Sequence, residues 1–367
     1  MPTPLKELYS LEFFNECASF IKQVYPEFEN KRFISNIFDK EWKQRELKDR
    51  MRHTSNTLVD LLPKSINQSL DMLSQLTETL IQNKQEKKAL QYMFIPDFIE
   101  VFGINHFEKS MQTIEKVTQF TSCEFAVRPF IIKYPETMPQ MVKWSKHPNH
   151  CVRRLASEGC RPRLPWAMAL PDFKNSPKPI LPILENLKKD DSEFVRKSVA
   201  NNLNDISKDN PELALEIAYK WYGKYEKTNW IVKHGCRTLL KQGNEQALAL
   251  FGLQNNDAIR LKNFKINNSR VKIGSDLTFQ FDLKNESGTA AKVRLEYAIY
   301  YLRNNGTHSK KVFKISEKDY APQQTAVINR KQPFKIISTR RFYLGEHFVS
   351  LIINGKESGK LAFEVVH

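Results

Sequence analysis

From Ser10 to about residue 257, apolar residues recur at spacings of three and four. The pattern is clearest in SLEFFNECASFIKQVY (10–25) and SINQSLDMLSQLTETLI (65–81), where it marks helices with one buried stripe. Pro63, Pro96, Pro135, Pro148 and Pro211 fall near helix starts or breaks. DNPELALEIA (209–218) reads as a helix start, with Asp209 or Asn210 as cap, Pro211 in the first turn and Glu212 near the positive dipole end. After Asn256 the period becomes two, interrupted by Gly274-Ser275, Asn285 to Gly288 and Asn304 to Gly306. HFVSLIINGKESGKLAFEVVH (347–367) predicts a closing hairpin, with Asn354-Gly355 and Ser358-Gly359 as turn candidates. About seven strands over 258–367 suit an immunoglobulin-like β-sandwich. That segment contains no cysteine, so the sandwich would lack an inter-sheet disulfide. The expected organisation is a helical domain over 1–257 followed by this sandwich over 258–367.

The helical part repeats itself. CVRRLASEGCRPRLPW (151–166), FVRKSVANNLNDISKDNP (194–211) and WIVKHGCRTLLKQG (230–243) share a template of valine, one or two basic residues, then a helix rich in small residues. Val152, Val195 and Val232 mark its register, 43 and 37 residues apart. A period near 40 built from helices predicts a mainly α chain, a HEAT-like repeat solenoid.

Charge sharpens the picture. The 367-residue chain carries a formal charge of +16 with a pI near 9.5, which points to nucleic acid or an anionic surface. Residues 258–367 hold 20 Lys+Arg against 9 Asp+Glu, a net of +11, leaving +5 for the longer helical part. No run of 18 apolar residues occurs, and the first residues lack the charged and apolar regions of a secretory signal, so a cytoplasmic protein without membrane contact is expected. Five cysteines with no CxxC pair read as free thiols. Cys151 and Cys160 beside His147 and His150 lack a second ligand pair, and no metal or cofactor is expected.

Against this basic background, acids stand in the repeats. Glu158 follows Val152 by six residues and Asn201 follows Val195 by six, so stacking would bring them to one face, with Asp205 four residues beyond Asn201. Glu124 precedes Arg128 by four, and Arg154 precedes Glu158 by four; as surface ion pairs these would contribute little. Arg153, Arg154, Arg161 and Arg163 form the densest cationic group of the helical part and suit phosphate contact. Trp166, between prolines, is either an exposed stacking surface or a plug between repeats. Trp144, Trp221 and Trp230 read as core. In the sandwich, Arg340 and Arg341 beside Phe342 and Tyr343 are candidates for backbone contact with DNA. No glycine-rich phosphate loop, GxSxG elbow or HExxH occurs.

Through EFAVRPF (124–130), HPNHCVRRLASEGCRPRLPW (147–166) and DSEFVRKSVANNLNDISKDNPELA (191–214), the chain resembles the AlkC/AlkD group of DNA alkylation-repair glycosylases, its AlkC branch in particular. The resemblance implies excision of cationic alkylated bases such as 3-methyladenine, and 3-methylcytosine, from double-stranded DNA by a monomeric enzyme. It implies Glu124 and Glu158 as active-site carboxylates, Asp205 and Trp166 lining the same site, and the VRR arginines against the DNA backbone. Asn201 stands where the AlkD branch carries a tryptophan, so an acid-rich site replaces that aromatic cradle. Two other readings stay open: a catalytically silent binder of alkylated DNA, and a peptide-binding repeat scaffold.

Overall fold

The computed structural model describes residues 4–254, 256–336 and 340–367. Packing divides the chain into two compact units, Met1–Gly235 and Cys236–His367. The division falls earlier than the change of period near residue 257. The short helices Arg237–Gln242 and Glu245–Leu250 group with the strands, because Lys292 donates to the Phe251 carbonyl at 3.0 Å and Asn354 to that of Gln254 at 2.9 Å.

The first unit is helical. The 10–25 pattern forms Leu11–Val24, with Ser10 accepting from the Phe13 amide at 3.2 Å, and the 65–81 pattern forms Ile66–Gln82. Pro211 opens Pro211–Trp221 as expected, but neither Asp209 nor Asn210 caps it through a side chain. Asp209 is paired with Arg163, and Asn210 donates to the Lys174 carbonyl at 2.6 Å.

The three repeat copies become three packed helices: His150–Gly159 lies on Glu193–Asp209, which lies on Glu226–Gly235. Val152, Val195 and Val232 are all fully buried at these contacts. The approach is close enough that a Cβ on Gly235 would sit 2.7 Å from a Leu203 methyl. The structure also explains the arginine after the valine. Arg153 donates to the carbonyls of His147 and Pro148 at 2.9 and 2.7 Å, and Arg196 to those of Asp190 and Asp191 at 2.8 Å each. Each thereby ties down the turn that precedes its own helix. Arg153 then spans to the next copy, grasping both oxygens of Asp190 at 2.6 and 3.0 Å.

The second unit packs two sheets face to face. One has the order β1 (Ile259–Ile266), β3 (Asp276–Asn285), β6 (Thr325–Pro333). The other runs β2 (Arg270–Lys272), β8 (Lys356–Val366), β7 (Gly345–Ile353), β4 (Ala291–Leu302), β5 (His308–Tyr320), all antiparallel except β2 with β8. Alternate residues Leu277, Phe279, Phe281 and Leu283 point into the core against Val293, Leu295, Tyr297 and Ile299. Asn354-Gly355, both with positive φ, form the β7–β8 turn. Ser358-Gly359 is not a turn. Gly359, at φ 61°, is the extra residue of a bulge, since Ser350 pairs with Lys360 and Leu351 with Ser358.

Candidate active site

Three elements of the helical unit bring carboxylates together. Glu124 lies in the turn before the helix Val127–Lys133, Glu158 in the last turn of His150–Gly159, and Asp205 on Glu193–Asp209. Two arginines link them. Arg154 donates to both oxygens of Glu124 at 3.3 Å and to the Ser122 hydroxyl at 3.2 Å, with Glu158 at 3.9 Å. Arg161 donates to Glu158 at 2.6 Å and to Asp205 at 2.9 Å. Burial disfavours the charge of Arg161, but Glu158 and Asp205 outweigh it and hold the guanidinium above its ordinary pKa. The three side chains grade inward: Glu124 is 13% exposed, Glu158 8% and Asp205 1%. Asp205 has both oxygens engaged, the second by Lys208 at 2.9 Å, so it holds Arg161 and is shut off from solvent. Asn201, one turn earlier on the same helix, is half-buried.

The spacing-based ion pair between Glu124 and Arg128 does not form. Arg128 is fully buried and donates to the carbonyls of Gly159, Arg161 and Met168 at 2.9, 2.8 and 2.7 Å. Burial pushes its pKa down to about 10. Its work is to pin the loop 160–170, and spacing alone gave no sign of it. That loop presents Trp166, which is 66% exposed at a left-handed φ of 68°. Its carbonyl accepts from Lys48. The indole is therefore an open surface, and the interior plug is ruled out. Trp144 and Trp221 are core residues, anchored through Glu115 and Glu185 at 2.6 and 2.9 Å. Trp230 is not: it is 41% exposed and stacks flat on His234 at 5.1 Å.

The arginine group is more committed than a free phosphate clamp would be. Arg153 is spent on Asp190 and two carbonyls, and Arg161 on the carboxylate pair. Arg163 grips Asp209 through both oxygens while staying 41% exposed. That pairing holds Asp209 below the usual carboxylate range. In the sandwich unit the reverse holds. Arg340 lies on the ring of Tyr301 at 4.1 Å and Arg341 near Tyr343 at 5.4 Å, and neither has a carboxylate partner among the described residues. Also among the described residues, no group of three His, Cys, Asp or Glu side chains could hold a metal, and no helix is long and apolar enough to cross a membrane.

Relatives carry the same architecture. A family model described as "DNA alkylation repair enzyme" matches residues 56–239, which include every one of these helical-site residues, and one described as "Uncharacterised protein YhaZ, C-terminal Ig-like domain" matches 260–367. The uncharacterized protein YhaZ of Bacillus subtilis is 43% identical over 98% of this chain and 99% of its own length. The solved structure of the Pseudomonas fluorescens alkylpurine DNA glycosylase AlkC, bound to DNA containing an abasic site analog, is 33% identical and covers 100% of both chains at a TM-score of 0.93. With the carboxylate cluster inside the matched region and the sandwich matched separately, the chain belongs to the DNA alkylation repair enzyme family.

Proposed function

We propose that this protein is a DNA glycosylase that hydrolyses the N-glycosidic bond of cationic alkylated bases, 3-methyladenine above all, in double-stranded DNA. The observation that carries the reading is the cluster of Glu124, Glu158 and Asp205, joined by Arg154 and Arg161 on a repeat-built helical unit, with an exposed Trp166 on the loop that follows the Glu158 helix. The stacked helices at the three valines support a HEAT-like solenoid for that unit.

A base methylated on a ring nitrogen is already positively charged, so its glycosidic bond breaks without a strong general acid. What the reaction needs is negative charge near the sugar as oxocarbenium character develops, and an acceptor for a proton from the attacking water. Glu124 and Glu158, the more exposed pair, take these roles, and Asp205 positions Arg161 so that Glu158 keeps its orientation. Phosphates would repel bare carboxylates; the bridging arginines keep the cluster near neutral until the lesion arrives. Trp166 offers a stacking surface at the lesion. Arg163, Arg340 and Arg341 supply backbone contact, and the sandwich with its net +11 grips DNA. The lysine at the cluster, Lys208, is held by Asp205 at 2.9 Å as an ion-pair partner and not as a Schiff-base nucleophile, so the enzyme is monofunctional and leaves an abasic site.

The test is an oligonucleotide duplex with one methylated base. The protein should generate an abasic site that breaks only on alkaline treatment, with no adduct trapped by borohydride. A trapped adduct would contradict the monofunctional step, and an intact substrate would contradict the activity.

A further inference from the structure

Phe194 opens the second repeat copy but has no role assigned above, yet it is a large aromatic side chain left 46% exposed on a polar helix. It stands in the first turn of Glu193–Asp209, seven and eleven residues before Asn201 and Asp205, which places all three along one helix face. Its ring carries the guanidinium of Arg154, whose Cζ lies 4.4 Å from the ring centroid. The same guanidinium is held at its edge by Glu124 at 3.3 Å and faces Glu158 at 3.9 Å. The structure thus shows a flat, delocalised cation with carboxylates at its rim and an aromatic face beneath it. A base methylated on a ring nitrogen has the same chemistry: planar, positively charged over several atoms, with N–H donors at its edge.

We propose that Glu124, Glu158 and Phe194 form a subsite for a planar cation, which the Arg154 guanidinium holds in this structure and which the alkylated base takes over on the enzyme, making Phe194 a substrate-contacting residue. This inference rests on the glycosylase reading. Its consequence is selectivity. Glu158 keeps Arg161 at 2.6 Å, but Glu124, 13% exposed, is paired through Arg154, and withdrawing that guanidinium with nothing in its place leaves a largely buried charge uncompensated, which is unfavourable. A neutral base offers no compensation, whereas a cationic base exchanges one positive charge for another. Normal bases are thereby rejected by the same contacts that accept the lesion.

The test compares wild type, Phe194→Leu and Phe194→Trp in single-turnover release of a methylated base from duplex DNA at saturating protein. Binding to undamaged duplex and thermal melting are measured in parallel. Loss of a cation–π contact should slow release by about tenfold in Phe194→Leu, within a span of roughly two- to thirty-fold. Phe194→Trp should return to near the wild-type rate. Undamaged-DNA affinity and melting should stay level, since the side chain is exposed. A wild-type rate in Phe194→Leu, or a tryptophan variant as slow as the leucine one, overturns the subsite. So does a parallel loss of undamaged-DNA affinity or melting temperature in both variants. If wild type itself releases no base, the glycosylase reading fails and the inference goes with it.

Discussion

Replacing Glu158 by Gln keeps the shape of the side chain and removes its charge. Two guanidinium groups lose an ionic partner, Arg161 at 2.6 Å and Arg154 at 3.9 Å. Both keep a second one, Asp205 at 2.9 Å for Arg161 and Glu124 at 3.3 Å for Arg154. The folding cost is therefore that of weakening one buried hydrogen bond, about 1–3 kcal/mol. The catalytic cost is larger. At about 4 Å and an effective dielectric of about 20, a carboxylate and a sugar cation attract by roughly 4 kcal/mol. Removing one electrostatic stabiliser from an enzyme commonly costs roughly 2.7–4 kcal/mol of barrier. Single-turnover base release should accordingly fall by about a hundred- to a thousandfold. Affinity for DNA should stay equal or rise, because a negative charge near phosphate is gone. The assay is base release at saturating protein, with circular dichroism confirming the fold. Wild-type release by Glu158→Gln would reduce the residue to a structural partner of Arg161 and refute the catalytic assignment.

Trp166→Ala should leave the melting temperature unchanged, because the indole is 66% exposed, while weakening productive DNA binding by about 1–3 kcal/mol in an affinity titration. Arg340→Ser combined with Arg341→Ser should weaken DNA binding and lower the slope of log affinity against log salt by about one per lost phosphate contact; an unchanged slope would make both arginines mere surface charge. Arg128→Met should lower thermal stability markedly, since two carbonyls of the Trp166-bearing loop and that of Gly159 before it lose their donor, and should raise amide exchange in residues 160–170. Asp209→Asn tests pH linkage. Arg163 depresses the Asp209 pKa, so the pair stabilises the fold above the unfolded carboxylate value of about 3.9, and that stability is lost as pH falls through the folded value. Wild type should melt higher than Asp209→Asn at pH 6, and the gap should close as the pH falls below the unfolded carboxylate value and through the lowered folded one.

Much of the fold was readable because burial imposes a period on sequence. The strict alternation of β3 put Leu277, Phe279, Phe281 and Leu283 into the sandwich core, and the spacing of Val152, Val195 and Val232 predicted helices that stack. Reading failed where tertiary partners decide. Alternation does not explain β4, where Glu296 and Ala298, between core positions, are also fully buried. Gly359 looked like a turn and is a bulge, a distinction set by the partner strand β7. At the site, Glu124 and Glu158 were found by motif, but their pairing was not. Helical spacing suggested Arg128 for Glu124, whereas the chain path delivers Arg154 from a helix 30 residues further on. Local spacing predicts i,i+4 neighbours only while the backbone stays helical, and Glu124 sits in a turn. Phe194 gave no signal at all, because an exposed aromatic residue acquires meaning only from what lies on its face.

The proposed removal of cationic methylated bases from DNA by the helical unit has a direct chemical readout. Duplex DNA treated with a methylating agent, incubated with the protein and then analysed by chromatography of the free bases, tests it most directly. 3-Methyladenine should appear as a free base, matched by an equal number of abasic sites, with no release of normal bases. DNA that is bound but yields no free methylated base would contradict it and leave a silent binder of alkylated DNA.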